Sequence, residues 1–107
     1  MINFEPRQFT NHLPQGTYQG YVEQLQYFED KGYFTMNILI GDQIFNTALS
    51  DKSIIMHKYL FNFVNAEQRK IDETQIIDTQ VKFSVVDNKK SGELKSRVTA
   101  LEPVYED

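Results

Sequence analysis

From Gly16 onward the chain alternates apolar and polar residues, and then the alternation slips by one position. Tyr18, Gly20 and Val22 fall on one face and Gln19, Tyr21 and Glu23 on the other; beyond the slip, Leu25 and Tyr27 continue the apolar face. Period-two alternation marks a half-buried strand. A one-residue slip inside it is what a β-bulge produces. A glycine within a strand marks sharp bending or close backbone approach. A long strand with both features curls, and curling is how a small sheet closes on itself.

The following segments keep the same period. Glu29-Asp30-Lys31-Gly32 reads as a tight turn. Tyr33 to Ile40 is a second strand, with Phe34, Met36, Ile38 and Ile40 on one face and Tyr33, Thr35, Asn37 and Leu39 on the other. After a turn at Gly41-Asp42-Gln43, a third strand runs from Ile44 to Leu49. Its inward set is either Phe45, Thr47 and Leu49 or Ile44, Asn46 and Ala48. Ser50 or Asp51 then reads as a helix N-cap, and Lys52 to about Glu67 has helical spacing, with Ile55, Met56, Tyr59, Leu60 and Phe63 in one stripe. Ala66 to Thr79 reads as a frayed helix end, a loop and one extra turn. A fourth strand covers Gln80 to Val86, with Val81, Phe83 and Val85 inward, and a fifth runs from Leu94 to about Leu101.

This order, β-β-β-α-β-β, predicts a mainly β domain: a five-stranded OB-fold Greek-key barrel with one helix between strands three and four. The domain is expected over residues 16–104. Residues 1–15 form an arm whose apolar members are Phe4, Phe9 and Leu13, with Pro6 and Pro14 breaking any long helix. Residues 105–107 form a short acidic tail.

A length of 107 residues predicts one domain. The absence of cysteine excludes disulfides and thiolate metal sites. No apolar run approaches the ~20 residues of a membrane span, and the N-terminus lacks the pattern of a secretory signal. The expectation is a cytoplasmic protein with no membrane partner and no cofactor.

The charge is unevenly spread. The chain carries −4 overall, but Lys82 to Arg97 holds five of its 11 Lys and Arg against two acids, Asp87 and Glu93. That hairpin is therefore +3 and the remainder −7. Such asymmetry suits one face to an anion. Lys82, Lys95 and Arg97 are expected on one outer face without a matching row of acids. Lys89 and Lys90 are expected on the loop 87–93. In an OB barrel, nucleic acid lies on the face around strands two and three, between the loops joining strands one to two and four to five. The first of those loops brings Lys31 together with Tyr27, Phe28 and Tyr33. Aromatic rings stack on bases for roughly 1–3 kcal/mol each, whatever the sequence. Tyr21 and Tyr33 are the candidate stacking residues; Lys31, Lys82, Lys89, Lys90, Lys95 and Arg97 are the candidate phosphate contacts. Phe34, Phe45, Phe63 and Phe83 read as core.

Catalytic signals are weak. His12 and His57 stand apart without metal-ligand spacing. The paired acids Glu29-Asp30 and Asp72-Glu73 read as solvated loops. No phosphate-binding loop, nucleophile elbow or metalloprotease motif is present, and Asp87 to Gly92 lacks the spacing of a calcium loop. No catalytic residue and no metal ligand is assigned.

The segments Gly16-Thr17-Tyr18-Gln19-Gly20-Tyr21-Val22, Gly32-Tyr33-Phe34-Thr35-Met36 and Lys95-Ser96-Arg97-Val98-Thr99-Ala100-Leu101-Glu102-Pro103 carry a resemblance. The chain resembles small OB-fold single-stranded-DNA-binding proteins of phages and mobile elements, including those of staphylococcal cassette chromosome elements. The resemblance covers about residues 16–104 and rests on strand order and pattern. It implies a non-catalytic protein that coats single-stranded DNA with little sequence preference during replication, alongside a replicative helicase or polymerase. It departs at Val104-Tyr105-Glu106-Asp107, where the long linker and acidic tip common in bacterial relatives are not found. The rival expectation is an interaction module that docks onto a polymerase, primase or helicase through the arm residues Phe4, Phe9 and Leu13. A third is RNA binding or an anti-defence accessory role.

Overall fold

The computed structural model describes residues 1–3, 8–64, 67, 69–90 and 92–105, with Lys90 described by its main chain alone. The strands are β1 (Gln8–Thr10), β2 (Gly16–Phe28), β3 (Tyr33–Ile40), β4 (Gln43–Ser50), β5 (Gln80–Lys90) and β6 (Glu93–Pro103). The helix α1 (Ile54–Phe61) lies between β4 and β5, and Glu73–Gln75 makes a single 3-10 turn. The strands form one curled sheet in the order β1-β4-β3-β2-β5-β6. The domain is mainly β, and its described residues form one α-helix and six strands where five strands were expected.

The curl originates in β2. Its first half, Gly16 to Tyr21, pairs antiparallel with β5; its second half, Tyr21 to Phe28, pairs antiparallel with β3. The handover needs a bend, and the residues for it are those the sequence marked. The register breaks between Val22 and Gln24. Val22 N–H donates to Thr79 O at 3.0 Å and Val22 O accepts from Asp78 N–H at 2.7 Å, so the turn before β5 is tied to the bulge. At Gly20 an added Cβ would lie 2.4 Å from Leu39 O and 2.9 Å from Ile38 Cγ2. Glycine is required there because β2 and β3 approach too closely for any side chain.

The inner face holds the core. Val22, Met36, Ile38, Phe45, Val81 and Phe83 are buried together, and Met56, Tyr59 and Leu60 of α1 close the cluster from below. Phe45 and Phe83 stack with centroids 5.5 Å apart. In β4 it is Phe45, Thr47 and Leu49 that face inward, which resolves the two options left by its sequence. Burial pushes the Tyr59 phenol up to about 12, with the Thr79 hydroxyl pulling the other way.

Three expected boundaries are corrected. The helix is shorter than Lys52–Glu67: its N-cap is Ser53, whose hydroxyl accepts from Met56 N–H, and Asn62 caps its end. Asp51 cannot serve as the cap, because its N–H bonds Gly32 O and its carboxylate bonds Tyr27. The loop expected at 87–93 is instead ladder: the β5–β6 pairing runs without a break from Val85↔Val98 to Lys90↔Glu93. Finally, the arm supplies a strand. Gln8, Phe9 and Thr10 pair parallel with Gln43, Ile44 and Phe45 of β4.

Past β1 the arm crosses to the opposite edge of the sheet. Ser96 N–H donates to Asn11 O at 2.9 Å, and Leu13 N–H donates to Ser96 Oγ at 2.8 Å. His12 Nε2 lies 2.9 Å from Asp87 Oδ1. Leu13 is only 6% exposed and belongs to the core. The arm thus ties the β4 edge to β6, which approach each other without a hydrogen-bonded ladder of their own.

Candidate functional site

The outer face of β2, β3 and β4 is set by register. Residues paired across neighbouring strands point the same way. Four rows result: Phe28, Tyr33 and Ser50; Gln26, Thr35 and Ala48; Gln24, Asn37 and Asn46; and Tyr21, Leu39 and Ile44. Not one of these twelve side chains carries a charge at neutral pH.

The middle of this face is an amide ladder. Asn46 Nδ2 donates to Asn37 Oδ1 at 2.6 Å, and Asn37 Nδ2 donates to Gln24 Oε1 at 2.9 Å. Aromatic rings sit at both ends. At one, Phe28 and Tyr33 tilt together with centroids 5.1 Å apart, and Lys31 Nζ lies 5.8 Å from the Phe28 centroid. At the other, Tyr21 is 46% exposed, and its hydroxyl accepts from Gln80 Nε2 at 2.9 Å. The β1 register adds Phe9, paired with Ile44 and 67% exposed, to the same row. Such a surface offers ring faces for stacking and amide groups for hydrogen bonding.

The β5–β6 hairpin presents the cations differently. Lys82, Arg97 and Lys95 fall on its outer face, as expected from the sequence. They are not without acids. Lys82 Nζ lies 3.9 Å from Glu102 Oε1 and Lys95 Nζ 3.6 Å from Glu93 Oε2. Glu102 lies outside the window first used to count charge. Over Gln80–Pro103 the five cations face three carboxylates, a net of +2. Arg97 makes no ion pair among the described residues, and it sits across from Val86. Lys89 pairs with Leu94 on the opposite face, the one that carries Val85 and Val98. Lys90 occupies the register position opposite Glu93, and its side chain lies outside the described residues.

The structure therefore brings Tyr33, Phe28 and Lys31 together, and sets Tyr21 beside Gln80, one row from Lys82. It does not gather all five hairpin cations on one face. Tyr27, grouped with the loop aromatics in the sequence, turns to the inner side and stacks on Phe34 at 4.3 Å. Its hydroxyl donates to Asp51 Oδ2 at 3.0 Å, and that carboxylate holds the phenol above its ordinary pKa, with burial adding to the effect. The amide ladder was missed, and Phe9 was assigned to a protein contact of the arm rather than to this face. The ladder's signal is visible only once three strands are in register.

Among the described residues no group of three His, Cys, Asp or Glu is placed to hold a metal. Among the same residues no helix is long and apolar enough to cross a membrane. No protein-family model matches the chain, and no curated protein is detectably similar to it.

Proposed function

We propose that this chain is an OB-type Greek-key barrel, extended by one strand, that binds single-stranded DNA without catalysis and with little sequence preference. The strand order β4-β3-β2-β5-β6 supports the barrel reading, since a long first strand shared between two ladders and a helix before the final hairpin belong to that topology. The observation that carries the binding role is the aromatic-edged outer face, whose twelve paired side chains are uncharged, lying beside a hairpin of net positive charge. Bases would stack on Tyr21, Phe28 and Tyr33 while the backbone meets Lys82, Lys95 and Arg97. Stacking is indifferent to base identity, hence the lack of preference. The resemblance to proteins of phages and mobile elements makes replication of such an element the setting, with a helicase or polymerase nearby. Of the arm residues that a contact with that enzyme would use, Leu13 is in the core, Phe9 is exposed, and Phe4 lies outside the described residues.

Fluorescence anisotropy with labelled oligo-dT, oligo-U and duplex DNA at two salt concentrations tests this. The expected result is binding to oligo-dT that exceeds duplex binding. If three cations meet phosphates, log affinity should fall by about 2 per decade of salt, at roughly 0.7 per phosphate on a single strand. No binding to any of the three at low salt would discard the role.

A further inference from the structure

On the inner side of the β2–β3 end, opposite Phe28 and Tyr33, lies a pocket of about 330 Å³. Tyr27, Phe34, Leu60 and Phe61 make its apolar walls, with Asp51 and His57 among its polar lining. That size and that mixture of apolar wall with few polar groups are those of a ligand site.

Three features narrow what it takes. First, its acid has spare capacity. Asp51 Oδ2 accepts from the Tyr27 hydroxyl, whereas Oδ1 receives no hydrogen bond among the described residues. The main chain of Asp51 is held by its N–H bond to Gly32 O at 3.0 Å, and its carboxylate by the Tyr27 hydroxyl. Second, no lysine or arginine is among the described residues that line it, and in the adjoining cavity, which shares Tyr27, Phe34, Leu60 and Ile71, the cations Arg69 and Lys70 are matched by the acids Glu29 and Glu73. Third, the rim is apolar and open. Phe61, one of its walls, is 78% exposed, and Ile54, beyond the lining but seven residues away on the same face of α1, is 70% exposed.

A carboxylate beside aromatic walls suits a guanidinium. Its plane stacks on a ring while its N–H groups meet the acid, which an ammonium does less well. The charge of the molecule agrees, because the chain outside Gln80–Pro103 carries −6 and so favours a basic partner. We propose that this pocket docks an arginine side chain of a protein partner, with the guanidinium on Asp51 and a neighbouring apolar residue against Phe61 and Ile54. The site is distinct from the outer face assigned to single strands. A chain that fails to bind oligonucleotides can therefore still satisfy this proposal.

The test is an NMR titration of the full chain, labelled with nitrogen-15, against acetyl-Leu-Arg-Leu-amide and the same peptide with citrulline for arginine. Citrulline keeps the shape and removes the charge. The arginine peptide should shift the amide signals of Tyr27, Asp51 and Phe61 saturably, and the citrulline peptide should bind at least about tenfold more weakly, as loss of a charge-assisted pair implies. Asp51→Asn should weaken the arginine peptide to a similar degree. Should that variant disturb the fold, Phe61→Ala decides, because an exposed ring can be removed without touching the core. Equal binding of the two peptides, or no shift at these residues at millimolar peptide, overturns the proposal. So does oligo-dG moving these signals where the arginine peptide does not, which would assign the pocket to a nucleobase.

Discussion

Two regions of one sheet are built on the same hydrogen-bonded ladder and yet differ in how they treat charge. The twelve paired side chains on the outer face of β2, β3 and β4 carry none, and their polar groups hydrogen-bond one another along Gln24, Asn37 and Asn46. The β5–β6 hairpin carries five cations but spends two on its own carboxylates, Glu93 and Glu102. A pair between exposed groups stabilises by at most about 1 kcal/mol, so those contacts do little for the fold. Their consequence lies in what remains available to a ligand: a modest +2 rather than a strong basic stripe. The lesson is that the aromatic and amide face, not the charge, is the more specialised surface.

The comparison depends on a joint. Gly20 sits where β2 leaves β5 for β3, and both regions keep their orientation only if that approach is preserved. Gly20→Val should be the most damaging single change. Its side chain would meet Leu39 O at 2.4 Å, backbone that has no flexible end to yield. We expect a loss of ~3 kcal/mol or more, at the upper end of overpacking costs. Urea denaturation followed by circular dichroism measures it. A variant as stable as the parent would show that the joint is soft and that the two regions need not be held apart.

Leu13 links the same regions from the other side. The arm pairs with β4 through β1 and bonds Ser96 of β6, and Leu13 anchors it in the core. Leu13→Ala should cost about 2–4 kcal/mol, as buried leucine truncations do. Faster hydrogen exchange is expected at Gln43 to Phe45 and at Ser96. If exchange rises at one edge alone, the arm is a strand on that edge and not a tie between two.

How much of this was legible in the sequence follows from the range of the interactions involved. The bulge after Val22 and the need for Gly20 leave local marks, a phase slip and a missing side chain, and both were readable. The faces of β3 followed from strict alternation. The helix was overextended because Phe63 continues the apolar stripe; it does so by packing edge-on against Tyr59, 5.4 Å away, after the helix has ended. Ser53 prevailed as cap because Asp51 was already engaged by Gly32 and Tyr27, partners distant in sequence. β1 is three residues long, too short to show a period, and its partner lies more than thirty positions away. The amide ladder demands the register of three strands at once. The Lys82–Glu102 contact was lost for a simpler reason, because the charge window stopped at Arg97.

The aromatic region can be tested on its own. Phe28→Ala and Tyr33→Ala, each on the outer face, should lower oligo-dT affinity by about 1–3 kcal/mol per stacked base. The melting temperature should fall little, since neither ring belongs to the core cluster. Phe34→Ala is the control from the opposite side of the same strand end: it should lower stability more than it lowers affinity for oligo-dT. Unchanged oligo-dT binding in both outer-face variants would remove the stacking role from this surface.

The smallest expected effect separates the two regions most sharply. Glu93→Gln with Glu102→Gln would free Lys95 and Lys82 and raise the hairpin from +2 to +4. Stability should change by less than about 1 kcal/mol per pair, because both pairs are exposed. If a single strand runs from the uncharged face onto the hairpin, its affinity should rise a few-fold at low salt. The salt slope should steepen by about 1.4, two further phosphates at roughly 0.7 each. The effect should vanish at high salt, where exposed charges are screened. An unaltered slope would mean that the strand never reaches Lys82 and Lys95. The uncharged face, together with Lys31 at its rim, would then constitute the whole contact, and the positive hairpin would owe its charge to some other partner.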